Sequence, residues 1–217
     1  MDIEERNEKP SNTGVVLHSA AAYDLLVWLL TFGRERAFRE AMLRLAHIKM
    51  GESVLDVGCG TGSLAIAAKR QVGTNGDVYG VDASEEMIAR AEKKARKASV
   101  EVAFKKGFAQ SLPFADAQFD VVLTTVMLHH LPRKARQELA SEMRRILKPG
   151  GRVLAIDFGW TARKRKSLLD HIHRRHGHVE LKDIIGLLKE AGLNVIASGN
   201  VGMRDLQFAL ATAPCCA

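Results

Sequence analysis

The chain has 217 residues, 47% hydrophobic and 26% charged, which bounds it to one compact domain with a sizeable core. Its longest apolar run, Leu25 to Phe32, falls far short of a membrane span. The acidic N-terminus lacks the order of a secretory signal, and three cysteines (Cys59, Cys215, Cys216) form no disulfide framework, so a reducing cytoplasm is expected. The net charge of +7 is concentrated in residues 161–176, where six Lys/Arg stand against Asp170 for a local +5. Such a patch points to a local anionic partner and argues against a surface built to coat nucleic acid.

Residues 1–13 are polar and read as a frayed tail. Residues 19–32 read as a helix apolar over much of its circumference, broken by Gly33. A second helix follows at 34–47, with Phe38, Met42 and Leu45 on one face. These N-terminal helices, within 14–50, are expected to form part of a lid. A strand–helix alternation then begins, with strands at 53–57, 77–82, 100–105, 119–124, 152–157, 194–198 and 205–211. Helices are expected at 62–71, 85–97, 133–147 and 179–191. Ser84 is a good N-cap, with Glu85 and Glu86 in the first turn and basic residues at the far end. Lys148-Pro149-Gly150-Gly151 stops the helix before the fifth strand. The last two strands share only a short link, so they should pair antiparallel. Seven strands with helices between the first six argue for an α/β, Rossmann-like, doubly wound and mostly parallel sheet in a single domain over 1–217. The core of that domain is 51–157, and 158–217 supplies an acceptor-side segment and the closing strands.

In such sheets ligands sit at the carboxyl ends of the strands. The turn Gly58-Cys59-Gly60-Thr61-Gly62 follows the first strand and opens into a helix. Its glycines permit sharp turning and close backbone approach, and the helix N-terminus offers free N–H donors. A dinucleotide turn would usually read G-x-G-x-x-G, whereas this one reads G-x-G-x-G. Asp56, just before it, suits a ligand carrying an ammonium. Asp82 ends the second strand and can accept both hydroxyls of a ribose, a role equally open to it in a nicotinamide enzyme. The 106–112 loop, Thr124 to Pro132 and the segment after Asp157 fall at the same edge.

The turn resembles motif I of the class I S-adenosylmethionine (SAM)-dependent methyltransferases. Further strings extend the likeness: Ser111-Leu112-Pro113-Phe114, Phe119-Asp120-Val121-Val122, His129-His130-Leu131-Pro132 and Glu142-Met143-Arg144-Arg145-Ile146-Leu147-Lys148-Pro149-Gly150-Gly151. Together they resemble the ubiquinone/menaquinone-biosynthesis, or methyltransferase 11, group from about Tyr23 to Asp157. The resemblance implies SAM as cofactor and S-adenosylhomocysteine as product. It implies that Gly58, Cys59 and Gly60 line the methionine part, that Asp82 binds ribose, and that Ala83 and Met87 lie against adenine. Gly107, Phe108 and Ala109 would meet the adenine edge, Thr124 would border the pocket, and Tyr23 would help close it. At one point the sequence departs from the family: Phe108 stands where the group usually has an Asp accepting from the adenine amino group.

His129 and His130 follow the fourth strand, facing the expected methyl site. Either could act as a general base, or the pair could be structural. His171, His173, His176 and His178 lie among arginines without metal-ligand spacing and read as a solvated basic or anion-binding face, so no metal is expected. No Asn/Asp-Pro-Pro-Tyr follows the fourth strand, which argues against amino methylation of DNA bases. The expected activity is methyl transfer from SAM to a small or lipid-like acceptor, possible anionic character and peripheral membrane contact being read from the 161–176 patch. Two rivals stand beside it: a protein that binds SAM without turnover, and a methyltransferase acting on RNA or protein through that patch.

Overall fold

The computed structural model describes residues 35–159, 179–202 and 205–215. The expected tail, the helix at 19–32 with Tyr23, and the basic segment 161–176 with its neighbouring histidines lie outside the described residues.

Helix α1 (Glu35–Leu45) buries Met42 and Leu43 against the sheet. Strand β1 (Val54–Val57) is buried at every position. Its alternate residues serve two cores: Val54 packs with α1 and with helix α2 (Ser63–Val72), while Leu55 and Val57 pack on the opposite face. A strand covered on both faces reads as a continuous apolar run, so a single acid within it, Asp56, stands out. Strand β2 (Val78–Asp82) leads into helix α3 (Glu85–Lys97), where the Ser84 hydroxyl caps the first turn by accepting from the Met87 N–H at 3.4 Å. Strands β3 (Ala103–Lys106) and β4 (Phe119–Thr125) follow. Helix α4 (Arg133–Ile146), strand β5 (Leu147–Phe158), helix α5 (Leu181–Glu190) and strands β6 (Asn194–Asn200) and β7 (Leu206–Thr212) complete the chain.

The seven strands form one sheet in the order β3-β2-β1-β4-β5-β7-β6. β1 to β5 run parallel, and β7 is antiparallel to both β5 and β6. The chain steps outward from β1 to β3, then returns to lay β4 on the other side of β1. This reversal is the switch point at which open sheets form their ligand crevice, and it brings the carboxyl ends of β1, β2 and β4 together.

Two expectations need correction. No helix joins β3 to β4; residues 107–118 cross back as a loop with turns. Helix α4 holds that loop. Arg145 donates to the carbonyls of Phe114 at 2.8 Å and Leu112 at 3.1 Å, while Glu142 accepts from the Leu112 N–H at 2.7 Å. Arg145 and Glu142 also bond each other at 2.8 and 2.7 Å. Side chains thus replace the backbone ladder a helix would have supplied. Second, β5 begins at Leu147, not 152, because Leu147 already pairs with Phe119 of β4 before the register shift at Val121.

The amino edge of the sheet is tied by charge. Arg152 reaches Glu52 at 2.9 and 2.7 Å and the Ala46 carbonyl at 2.6 Å; Asp120 accepts from Lys148 and from the Ser53 N–H, both at 2.8 Å. These groups anchor α1 and β1 at the end of the sheet opposite the glycine turn. A cavity of about 580 Å³, lined by Lys69, Tyr79, Arg96 and Glu101 among others, opens near the amino ends of β2 and β3, away from that turn.

Candidate functional site

The turn after β1 takes a path that only glycines follow easily. Gly58, Gly60 and Gly62 have φ of 72°, 51° and 75°. A Cβ on Gly58 would stand 2.5 Å from Met127 Cγ, so this glycine admits the loop that follows β4. A Cβ on Gly62 would stand 2.7 Å from both Ala91 Cβ and Phe104 Cζ, so this one lets α2 start hard against α3 and β3. The N–H groups of Gly58 and Cys59 donate to the Val81 carbonyl at 2.8 and 3.0 Å, locking the turn to β2. The Lys94 ammonium bonds Thr61 Oγ1 at 2.9 Å and also Ser63 Oγ, fixing the first turn of α2 from the side. Cys59 is buried, with Sγ 3.8 Å from the Gly60 carbonyl.

Asp82 closes β2. One of its oxygens accepts from the Gly60 N–H and the other from the Ser84 N–H, each at 2.9 Å. Burial pushes its pKa up, and these N–H donors pull it back. Each carboxylate oxygen can accept twice, so acceptor capacity remains for a ligand hydroxyl. Asp56 is different. It is 1% exposed, and neither of its oxygens meets a hydrogen-bond partner among the described residues. Burial, with the nearby Asp82 charge, raises its pKa to about 7; the Ala65 backbone N–H, which lies nearby without completing a hydrogen bond, pulls the other way. Thr124, at the end of β4, likewise buries Oγ1 without a partner. Buried polar atoms are normally satisfied, so two orphaned groups beside one glycine turn mark a place where a ligand completes the bonding.

On the adenine side of the expected pocket, the Gly107 N–H donates to the Asp82 carbonyl at 3.0 Å, seating the loop after β3 against β2. Phe108 bridges Ser111 in a tight turn, with the Ser111 N–H on the Phe108 carbonyl at 3.1 Å. Phe108 and Ala109 are half-buried, as is Ala83, whereas Met87 is 2% exposed and packs beneath the surface.

Past β4, a single 3-10 turn at Leu128–His130 carries both histidines. His129 Nδ1 lies 2.8 Å from Asp157 Oδ1, and the His129 backbone N–H donates to Asp157 Oδ2 at 3.0 Å. The two histidine rings stand with centroids 3.9 Å apart. Arg136 of α4 secures the turn, its Nε–H donating to the Leu128 carbonyl at 2.8 Å. Sequence reasoning names the histidines but gives Asp157 no role. The available signal was an acid closing a buried strand at the ligand edge, the same signal that marks Asp82.

The glycine cradle, the unsatisfied carboxylate of Asp56 and the ribose-ready Asp82 fit a ligand with an ammonium at one end and a nucleoside at the other, as SAM has. The fold is that of the class I SAM-dependent methyltransferases. A crystal structure of a SAM-dependent methyltransferase from Aquifex aeolicus matches with a TM-score of 0.73 over 90% of this chain and 99% of that one, at 24% identity. Residues 54–151, a stretch that contains the glycine turn, match the family model described as a methyltransferase domain. Among curated proteins, the demethylmenaquinone methyltransferase of Bacillus cytotoxicus is 37% identical over 136 residues, 62% of this chain and 56% of that protein. The ubiquinone/menaquinone biosynthesis C-methyltransferase UbiE of Burkholderia mallei is 35% identical over 155 residues, 71% of this chain and 63% of that protein. The chain therefore spans less than two thirds of the length of either relative.

Proposed function

We propose that this protein transfers a methyl group from SAM to a small, lipid-like acceptor, with a quinone-type ring of the kind named for the two curated relatives as the first candidate. The observation that carries the reading is the buried, unpartnered carboxylate of Asp56 behind the glycine turn. A carboxylate without a donor is costly unless a cation meets it. In this assignment Asp56 faces the ammonium of the methionine end, lined by Gly58, Cys59 and Gly60. Asp82 offers its remaining acceptor positions to the ribose hydroxyls. Ala83, Met87 and the Gly107-Phe108-Ala109 turn border the adenine, and Thr124 lines the pocket beside β1.

When bound, SAM supplies an electrophilic methyl on a sulfonium. The chain supplies the rest: a fixed cradle, orientation toward the loop after β4, and a dry wall. Proximity and orientation alone can remove several kcal/mol from the barrier, on the order of 7–11 kcal/mol in well-oriented systems. No helix among the described residues is long and apolar enough to cross a membrane. A lipid-like acceptor would then be met at a surface, and the +5 of residues 161–176 supports contact with an anionic one on the cytoplasmic side.

The test is incubation with methyl-labelled SAM and a demethylated quinol presented in anionic vesicles. Equal amounts of S-adenosylhomocysteine and methylated quinol are expected. Label appearing only in RNA or protein would move the activity to a macromolecular acceptor. Tight SAM binding with no product from any acceptor class would make the protein a cofactor-binding module without turnover.

A further inference from the structure

We infer that Asp157 is a positioning residue that holds His129 as the base of the transfer, and that the acceptor therefore presents a dissociable proton, as a ring hydroxyl or N–H does. The inference rests on the methyl-transfer reading above and narrows its acceptor.

The geometry is specific. Asp157 ends the buried run of β5 and its side chain is 0% exposed, while that of His129 is 17% exposed. The carboxylate is thus part of the interior, and the imidazole is its partly open neighbour. Asp157 accepts from three donors: His129 Nδ1 at 2.8 Å, the His129 backbone N–H at 3.0 Å and the Phe158 backbone N–H at 2.7 Å. A carboxylate can only accept, so Nδ1 carries a proton, and in the neutral imidazole the lone pair is on Nε2. Two backbone donors fix the carboxylate, the carboxylate fixes the tautomer, and the Phe158 and His130 rings, 5.6 and 3.9 Å from that of His129 by centroid, fix its plane. A histidine serving only to fill space under a loop has no need of a fully buried acid on one nitrogen. Arg136, whose charge interacts with both Asp157 and Asp183 of α5, donates to the Leu128 carbonyl of the same turn.

The acceptor's electron pair forms the new bond to the methyl carbon, and the carbon–sulfur bond breaks with its pair remaining on sulfur. The acceptor's hydroxyl or N–H proton passes to His129 Nε2, and from there to water. Where the new bond forms at a ring carbon next to a hydroxyl, loss of that carbon's proton restores the ring and the hydroxyl regains its own. One proton is released in either case. A thiolate or a tertiary amine, which has no proton to give, would gain nothing from this arrangement.

The experiment combines two readouts on the full chain. Histidine ¹⁵N spectra should show the neutral form of His129 as the Nδ1–H tautomer, with the lone pair on Nε2. In Asp157→Asn this should change, because an amide must set its NH₂ against one of the two backbone donors or demand the lone pair of Nδ1. Kinetics should then be compared across phenolic acceptors of graded acidity. His129→Asn keeps a donor toward Asp157 but lacks a base, so it should lower kcat by ~10²–10⁴-fold on weakly acidic acceptors. It should leave SAM affinity and acceptor KM nearly unchanged, and the loss should shrink as the acceptor becomes more acidic. Asp157→Asn should show the same acidity-dependent loss. A neutral His129 carrying its proton on Nε2 in the wild type overturns the inference. So does a loss that is equal for all acceptors, or a His129→Asn enzyme within about threefold of wild type. Failure to bind SAM at all would instead remove the methyl-transfer reading on which the base depends.

Discussion

Asp56 and Asp82 stand at the ends of neighbouring parallel strands, and the charge of Asp82 adds to the burial that lifts Asp56 to about 7. Asp82 has its hydrogen bonds supplied by the chain, whereas Asp56 has none. A ligand ammonium would favour the ionised form of Asp56 and pull its pKa down. SAM binding should therefore tighten as pH rises through about 7, with release of a proton into the buffer. Calorimetry in buffers of different ionisation heat reads both effects. Asp56→Asn should abolish the proton release and weaken SAM by ~1.5–3 kcal/mol, the worth of a charge-assisted contact.

The same group bears on stability with the opposite sense. Its folded pKa of about 7 lies above the value of about 4 expected for an unfolded Asp. The stability it contributes is fully present below about 4 and is lost as pH rises through about 7. Without ligand, Asp56→Asn should then melt a few degrees above the wild type at pH 8, and the difference should shrink steadily as pH falls from about 7 to about 4. A residue that costs stability and is kept for binding is a common bargain at functional sites.

Gly62 ties the turn to the packing beneath it. An alanine there would sit at φ 75° and meet Ala91 and Phe104 at 2.7 Å. Left-handed strain costs roughly 1–2 kcal/mol and overpacking about 1–3 kcal/mol. Gly62→Ala should lower Tm by roughly 5–15 °C. An unchanged melting curve would show that α2 can shift without loss.

The lesson about legibility comes from particular residues. The strands and helices were readable because covered strands and amphipathic helices have different periods, and because Ser84 and Gly62 punctuate them. The glycine turn and its two acids were readable from spacing alone. The β3–β4 connection was not, since what orders it is Glu142 and Arg145, some thirty residues away on α4. Nor was the pairing of Asp157 with His129, which joins residues 28 positions apart. That Asp56 has no partner is likewise a property of the packed structure and leaves no mark on the local sequence.

The Glu142–Arg145 pair gives a test of the cofactor loop. Arg145→Ala removes donors from the Leu112 and Phe114 carbonyls and takes from Glu142 its cation, leaving it the Leu112 N–H. A loss of ~1.5–3 kcal/mol in stability is expected, measured by urea denaturation. SAM affinity should fall as well, because the Gly107-Phe108-Ala109 turn is continuous with the loop that Arg145 holds. Unchanged SAM affinity alongside the stability loss would detach that turn from the cofactor.

The central claim is that the turn after β1, with Asp56 and Asp82, is built for SAM. The direct measurement is calorimetric titration of the purified protein with SAM, S-adenosylhomocysteine and NAD, repeated on Asp82→Ala. Saturable binding of the first two, none of NAD, and a loss of ~1.5–3 kcal/mol in Asp82→Ala are expected. Saturable NAD binding with no response to SAM, or an Asp82→Ala protein that binds SAM as tightly as the wild type, would contradict it.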